Sequence, residues 1–268
     1  TVASSWATGC TRSRPSTRAC PSGSIATWSG SCAASRSCAS TTTSRGSRTC
    51  ISSSWPATAW TGRSAPWSTC RSRAAPRTHY FPETPVEPTV YAFAREWSRP
   101  PDEAWNRGFT AATVPDRRWS RVDIKTICLL PNALAFQAAR DRGADDAILV
   151  RDGVAIEGAH QNFWAVFGGT AVTHPTTGYI LPGITRGVVM EEARAAGIPV
   201  EERPIQIEEL EWADECFFTG TTGEVRPVVE IDGRPVGDGR VGDVTRRLSD
   251  AFLARVEATK EAGRVEAS

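Results

Sequence analysis

The alternation of apolar and polar positions divides the chain near residue 89. Beyond that point, short apolar runs are separated by turn residues or by segments with helical spacing. These patterns predict strands at 89–94, 118–130, 147–150, 154–157, 163–167, 170–174, 199–205 and 215–220, and a hairpin over 225–236. They predict helices at 132–142, 184–196 and 243 to about 258, the last capped by Asp243. The many hairpins favour an α+β fold, with helices around a mostly antiparallel sheet or pseudo-barrel.

Residues 1–82 show neither a helical nor a strand period. This segment has ten Arg but no Lys, Asp or Glu, and the first Leu of the chain is Leu129. Six of the eight Cys and five of the ten Trp precede residue 71. A disulfide-linked module, a disordered Ser/Arg-rich tail and a wrong-frame translation of GC-rich DNA are the three interpretations.

The genetic code favours the wrong-frame interpretation. When the last base of each codon is read with the first two of the next, WSTCRSR (67–73) permits V-H-L-Q-V-T-R, an ordinary alternating strand. We therefore predict that residues 1–73 are a frameshifted small domain, disrupted or poorly ordered. Residues 74–98 are predicted to be the remnant of that domain with a linker, and 99–268 a large domain.

Charge and hydropathy exclude several classes of protein. The net charge of +1 at pH 7 argues against a nucleic acid partner. No run of 18 apolar residues and no signal-peptide pattern is present, so we predict a cytoplasmic protein without a membrane span. No metal site is predicted.

Lys125 is one of only two lysines in a chain that otherwise uses Arg. Lysine can lose its proton in a desolvated site and attack a carbonyl, which arginine cannot do. The apolar residues around it predict a half-buried position, where an ammonium group needs a partner or a function. A solvated surface lysine is the structural alternative.

Three further features suit a cofactor that has an aldehyde, a phosphate and a ring nitrogen. LPGITRG (181–187) places Ile184 and Thr185 at a helix start, where free N–H groups attract phosphate. TGTTG (219–223) offers the hydroxyls of Thr221 and Thr222 in a glycine-flanked turn. Glu157 ends a strand and suits a protonated pyridine nitrogen. A plain helix cap, an ordinary turn and a solvated strand end are the respective alternatives.

The order and spacing of these motifs resemble the fold-type IV pyridoxal phosphate enzymes, the class IV aminotransferases, and among them the D-amino acid aminotransferases most. The resemblance spans about seven-tenths of the chain from Ala74 onward. The matching stretches are APRTHYFPE (75–83), RWSRVDIKTICLLPN (118–132), AILVRDGVAIEG (147–158), ILPGITR (180–186), FFTGTTGEVRPVVEIDGRP (217–235) and VGDVTRRL (241–248).

The resemblance implies a role for each site residue, with pyridoxal 5'-phosphate as the cofactor. Lys125 would be the Schiff-base lysine and the proton carrier, and Glu157 would hold the pyridine nitrogen. Leu181 would pack beside the ring, while the phosphate would be bound by Ile184, Thr185, Thr221 and Thr222. Arg77 and His79 would receive the substrate carboxylate across a homodimer interface.

Two departures from the family pattern stand out. Ala159, His160 and Gln161 replace the small hydroxyl residues that the family tends to have after Glu-Gly, which changes the hydrogen bonding expected around the cofactor. The small-domain Arg for the phosphate and a small-domain Tyr are absent as written. Segments similar to both appear in the shifted reading of residues 7–13 and 21–28.

The implied activity is transfer of an amino group from a D-amino acid such as D-alanine to a 2-oxo acid. The same fold leaves an aminodeoxychorismate lyase and a branched-chain aminotransferase as alternatives. An inactive frameshifted product is the alternative from a different class.

Overall fold

The computed structural model describes residues 64–73 and 89–265, with side chains described from Trp97 to Glu261. The interpretations of residues 1–63 lie outside these residues, as do Arg77, His79 and most of the predicted small-domain remnant. Strand β1 (Ser64–Arg73) pairs antiparallel with β2 (Thr89–Ser98) along its whole length. The apolar pattern predicts β2 but not β1, because the Ser- and Arg-rich segment lacks apolar alternation.

The other ten strands form one sheet. Its order is β8-β7-β6-β10-β11-β3-β4-β5-β9, with β12 paired to β11. The strands are β3 (Phe109–Pro115), β4 (Asp146–Arg151), β5 (Val154–Gly158), β6 (Asn162–Phe167), β7 (Thr170–Thr173), β8 (Val200–Glu202), β9 (Ile205–Gln206), β10 (Glu215–Gly220), β11 (Glu224–Ile231) and β12 (Arg234–Pro235).

The predicted α+β class and mostly antiparallel sheet are confirmed. Antiparallel pairing joins β4 to β5, β6 to β7, β10 to β6 and β11, β5 to β9, and β11 to β12. Parallel pairing occurs where β3 lies between β11 and β4, and where β8 joins β7. Each parallel pair is linked through longer chain segments, as parallel geometry requires.

Adjacent strand residues fill two separate cores on opposite faces of the sheet. Phe163 lies beside Phe218 on one face, with ring centroids 5.6 Å apart. Trp164 stacks on Phe217 on the other, at 5.4 Å. Because neighbouring strand residues point to opposite faces, a strand covered on both sides appears as a continuous apolar run. FWAVF is such a run.

Four helices are described: α1 (Asp102–Arg107), α2 (Leu130–Asp141), α3 (Ile184–Ala195) and α4 (Asp243–Val265). Helices α3 and α4 bury Val189, Met190, Val244 and Leu248 against the Trp164 face of the sheet. Helix α2 buries Ala135 and Ala139 against Leu149 of β4. The predicted bounds of α2 and α3 are confirmed to within about two residues. None of the described helices is long and apolar enough to cross a membrane.

Four predictions of local structure were wrong. Helix α4 continues to Val265, seven residues beyond its predicted end near Ala258. Residues 118–129 contain no strand and form turns and extended loop before α2. The single strand predicted at 199–205 is two short strands, β8 and β9, which pair with different neighbours. The N–H groups of Val244 and Thr245 donate to the Glu215 carboxylate, at 3.0 and 2.7 Å, so a distant strand caps α4 in place of Asp243.

Candidate active site

One cavity of about 640 Å³ brings together most of the predicted site residues. The loop at 118–129, the end of β5, the start of α3 and the turn after β10 form its walls. Lys125, Glu157, Leu181, Ile184, Thr185 and Thr221 all line it. Thr222 lines an adjoining cavity of about 290 Å³ that shares Thr221 and His160 with the first.

Lys125 is half-buried, as expected, although some of its apolar neighbours are exposed. Ile127 is 60% exposed and Leu130 70%. Val122, Ile124 and Leu129 nevertheless line the same cavity as Lys125, so flanking residues contribute to the wall around it. Its positive charge acts together with burial to lower the pKa of His160, which Asp146 opposes, so Lys125 and His160 face the same space.

Glu157 is only 4% exposed, which excludes a solvated strand end. Its Oε1 accepts a hydrogen bond from Arg118, and its Oε2 accepts from Asn162 Nδ2 at 3.0 Å and from the Leu181 N–H at 3.3 Å. Burial raises the pKa of Glu157 to about 7, although the Arg118 charge and the hydrogen bonds from Arg118 and Leu181 act in the opposite direction. A positive charge placed nearby would lower this pKa and favour the ionised carboxylate.

A chain of buried ion pairs extends from Glu157 away from the cavity. The Arg118 Nε and Nη2 groups each donate to Asp116, both at 2.9 Å. Arg151 Nη2 lies 3.0 Å from the second Asp116 oxygen, and the Arg151 guanidinium stacks over Tyr179. The Asp116 side chain is fully buried and the Arg118 side chain is 5% exposed. Since each charge has an opposite partner, the network can remain buried.

The start of α3 presents backbone N–H groups to the cavity. Gly183 precedes the helix and supplies no side-chain cap. A Cβ at Gly183 would overlap Asn162 Oδ1, so only glycine allows this close approach. Asn162 Nδ2 donates to both Glu157 and the Leu181 carbonyl, which ties the segment before α3 to β5. The result is a helix N-terminus held at the cavity edge, an arrangement that suits an anion.

The turn after β10 packs closely against the side chain of Gln161. A Cβ at Gly223 would overlap Gln161 Oε1, and one at Gly220 would lie 3.0 Å from Gln161 Cγ. Gln161 Nε2 in turn donates to Asp146 Oδ2 at 2.7 Å. Trp164 Nε1 donates to Thr219 Oγ1 at 2.9 Å and anchors the other side of the turn. The glycines of TGTTG are therefore explained by packing against Gln161.

The three residues that depart from the family pattern have structural or cavity-facing positions. Ala159 is fully buried, and its carbonyl accepts from Asn132 Nδ2 at 2.6 Å. His160 lines both cavities and lies 5.8 Å from the Phe136 ring. Gln161 supports the turn, as described above. Of the three, His160 brings a new titratable group to the cavity.

Sequence reasoning gave no role to Arg118, Asn162 or Asp116. Arg118 lies within a quoted motif, seven residues before Lys125, but Arg117 and Arg121 lie nearby too, and only burial in the structure distinguishes Arg118. Asn162 and Asp116 carried no signal either. Their importance depends on the pairing of strands and loops that are distant in sequence.

The residues present fit pyridoxal phosphate. An amine, a buried carboxylate and a helix N-terminus without a side-chain cap line one cavity, and they match the aldehyde, ring nitrogen and phosphate in chemistry. In the described part of the chain, no group of three or more His, Cys, Asp or Glu side chains is placed to hold a metal ion.

Comparison with known proteins agrees with this geometry. Residues 64–231 match the family described as amino-transferase class IV. The chain belongs to the class IV aminotransferases. It is 45% identical over 184 residues to the D-alanine aminotransferase of Staphylococcus haemolyticus, covering 69% of this chain and 65% of that enzyme. The chain thus spans just under two-thirds of the length of this relative.

Solved structures of the family share the fold. The branched-chain aminotransferase of the thermophilic archaeon Thermoproteus uzoniensis, with norvaline, aligns with a TM-score of 0.60 and 28% identity, covering 74% of this chain and 67% of that one. An aminotransferase from Brucella abortus bound to the cofactor PLP aligns with a TM-score of 0.60 and 26% identity, covering 72% and 69%. These findings support pyridoxal phosphate as the cofactor of this class IV aminotransferase.

Proposed function

We propose that the protein transfers the amino group of D-amino acids, of the D-alanine type, to 2-oxo acids with pyridoxal phosphate as cofactor. The observation that carries the proposal is one cavity lined by Lys125, the buried Glu157 and the N-terminus of α3. The similarity to a D-alanine aminotransferase supports the D-amino acid substrates.

Each residue has a chemical task in this proposal. Bound pyridoxal phosphate supplies an aldehyde for covalent linkage and a ring that withdraws electrons from the substrate α-carbon. Lys125 Nζ takes the α-proton from the substrate and returns it later in the cycle. Glu157 would pair with the ring nitrogen, and the N–H groups at Ile184 and Thr185, with Thr221 and Thr222, would hold the phosphate. Leu181 would pack beside the ring.

The proposal extends to a cytoplasmic homodimer in which Arg77 and His79 of one subunit bind the substrate carboxylate in the other. An arginine fork matches a carboxylate in geometry. Sedimentation of the purified protein tests the dimer. Loss of D-alanine turnover in Arg77→Lys, with unchanged cofactor binding, tests the carboxylate site.

The lysine assignment has a direct chemical test because the chain offers only two lysines. The full-length protein is incubated with pyridoxal phosphate, reduced with borohydride, digested and mapped by mass spectrometry. We expect the pyridoxyl group on Lys125, with none in Lys125→Ala and an unchanged yield in Lys260→Ala. Labelling of Lys260 alone, or labelling that survives Lys125→Ala, would contradict the proposal.

A branched-chain aminotransferase is the second candidate, because the Thermoproteus uzoniensis structure similar to this chain is such an enzyme. Competition assays with D-alanine, L-leucine and 2-oxoglutarate distinguish the two. Pyruvate formed from aminodeoxychorismate without a 2-oxo acid acceptor would instead indicate the lyase.

The alternative that we propose from a different class is an inactive product, in which residues 1–73 would be a wrong-frame reading of the small domain. The composition of residues 1–82 supports this proposal. Nucleotide sequencing across codons 1–80 tests it. An inserted or missing base near codons 73–75 is the expected result, and an intact frame would contradict it.

A further inference from the structure

Asp116 lies outside the wall of the cavity, yet it controls the geometry of a residue inside it. Its two oxygens bind the Nε and Nη2 edge of the Arg118 guanidinium, each at 2.9 Å. This is a bidentate contact, in which two parallel N–H groups of an arginine donate to the two oxygens of one carboxylate. Only Nη1 then remains to reach Glu157.

Asp116 also contacts Arg151 and the backbone of Arg118. Arg151 Nη2 lies 3.0 Å from Asp116 Oδ2 and also donates to the Arg118 carbonyl at 2.9 Å. The Arg118 backbone N–H donates to Asp116 Oδ1 at 3.0 Å, and its Nη2 reaches the Tyr179 carbonyl at 3.3 Å. Both Asp116 oxygens and the Nε and Nη2 groups of Arg118 are therefore engaged, which restrains the Asp116–Arg118 pair in the observed arrangement.

The consequence for Glu157 is a limited engagement with Arg118. One N–H from Arg118, one from Asn162 and one from Leu181 occupy three of about four acceptor sites on its two oxygens. If Arg118 instead donated two hydrogen bonds to Glu157, it would occupy the remaining acceptor site and neutralise the carboxylate charge more fully. The observed arrangement leaves acceptor capacity on a carboxylate that lines the cavity.

We propose that Asp116 is a positioning residue: it restrains Arg118 to a single hydrogen bond with Glu157, so that Glu157 keeps an acceptor site for a protonated ring nitrogen. This inference rests on the proposed function, in which Glu157 faces that nitrogen. Asp116 is not among the residues that line the cavity, so it would act through Arg118.

A pair of cofactors isolates this effect. Pyridoxal phosphate and its 1-deaza analogue, in which carbon replaces the ring nitrogen, share the aldehyde and the phosphate. Because any other difference between the two compounds is common to all variants, a change in the ratio of their dissociation constants between variants reports the contact at the ring nitrogen. It is measured by equilibrium titration of the full-length protein, followed by absorbance, for wild type, Asp116→Asn, Glu157→Gln and the control Glu211→Gln. Glu211 forms an exposed ion pair with Arg234 and lies outside the described cavity walls.

We expect the wild type and Glu211→Gln to prefer pyridoxal phosphate by about tenfold or more, as a charge-assisted hydrogen bond provides. Asp116→Asn should lower this preference at least about threefold while the analogue binds nearly as before, and Glu157→Gln should lower it further. Equal weakening of both compounds in Asp116→Asn, or an unchanged ratio, would overturn the inference while the Glu157 result upholds the proposed function. A wild type without preference, matched by Glu157→Gln, would overturn the role of Glu157 and with it the role of Asp116.

Arg151→Gln is the second variant if Asp116→Asn fails to fold. It removes one of the two holders of Asp116 but keeps the Asp116–Arg118 fork. A smaller fall in the same ratio is expected, and an unchanged ratio in a folded Arg151→Gln protein would count against the inference.

Discussion

The two ends of the cavity are built in different ways. At the Glu157 end, side chains that are nearly or fully buried form a continuous set of ion pairs from β5 through Arg118 and Asp116. At the Lys125 end, the reactive residue lies on a loop whose apolar side chains are largely exposed. The charge that would tune the cofactor is thus part of the folded core, whereas the half-buried lysine lies on a loop beside exposed apolar residues. Substitutions at the first end should affect stability, and those at the second should affect chemistry alone.

Arg118→Gln, at the Glu157 end, should lower the free energy of unfolding more than any other substitution considered. It leaves Glu157 and Asp116 buried with less compensation, and removal of one partner from a buried ion pair costs about 3 to 5 kcal/mol of unfolding free energy. Urea denaturation at neutral pH measures the loss. Arg234→Gln is the matched control, because its ion pair with Glu211 is exposed and should contribute less than about 1 kcal/mol. Equal effects of the two substitutions would contradict the distinction between the ends.

The stability of the apoprotein should depend on pH because Glu157 is buried at its end of the cavity. Because the pKa of Glu157 is raised to about 7 from an ordinary 4.5, the folded state binds a proton that the unfolded state has released. Stability from this group is present at low pH and is lost as pH rises through 7, by about 3 kcal/mol in total. Wild type should therefore lose stability relative to Glu157→Gln between pH 5 and pH 8. A parallel pH profile of the two proteins would contradict the prediction.

Gly223→Ala should have an intermediate effect. The added Cβ overlaps Gln161 Oε1, and Gln161 is held in place by Asp146, so we expect a loss of about 1 to 3 kcal/mol. The double variant Gly223→Ala with Gln161→Ala should recover part of the loss, because the overlapping atoms are gone. Additive effects in this thermal-unfolding cycle would show that the two residues do not oppose each other.

Lys125→Ala should have the smallest effect on stability. The loop around Lys125 has exposed apolar residues, so the substitution should change the unfolding free energy by less than about 1 kcal/mol. Covalent retention of pyridoxal phosphate should nevertheless be abolished. A large destabilisation in the urea experiment would place the lysine in the folded core, together with the Glu157 end.

Several elements were predictable from local pattern. Helix α3 was bounded by Gly183 and Gly197, and the hairpin from β4 to β5 by alternating apolar residues around an Asp-Gly turn. The loop at 118–129 was not predictable in this way. Its Val and Ile residues suggested a strand, but the described part of the chain provides no neighbouring strand to pair with them. Strand propensity alone does not form a strand when the ladder hydrogen bonds have no partner.

For the site, the residue types and their order were enough to nominate Lys125, Glu157 and the two phosphate-type turns, because each carries a recognisable local chemistry. Only the tertiary structure decided that Glu157 is buried, that Arg118 and Asn162 donate to it, and that Asp116 restrains Arg118. Glu157 is 39 residues from Arg118, and Asp232, which β11 brings to β3, lies 119 residues from Thr113. Whether two residues so far apart in sequence form an ion pair, and whether they are buried, depends on which strands pair. Strand pairing in turn depends on how the whole sheet packs.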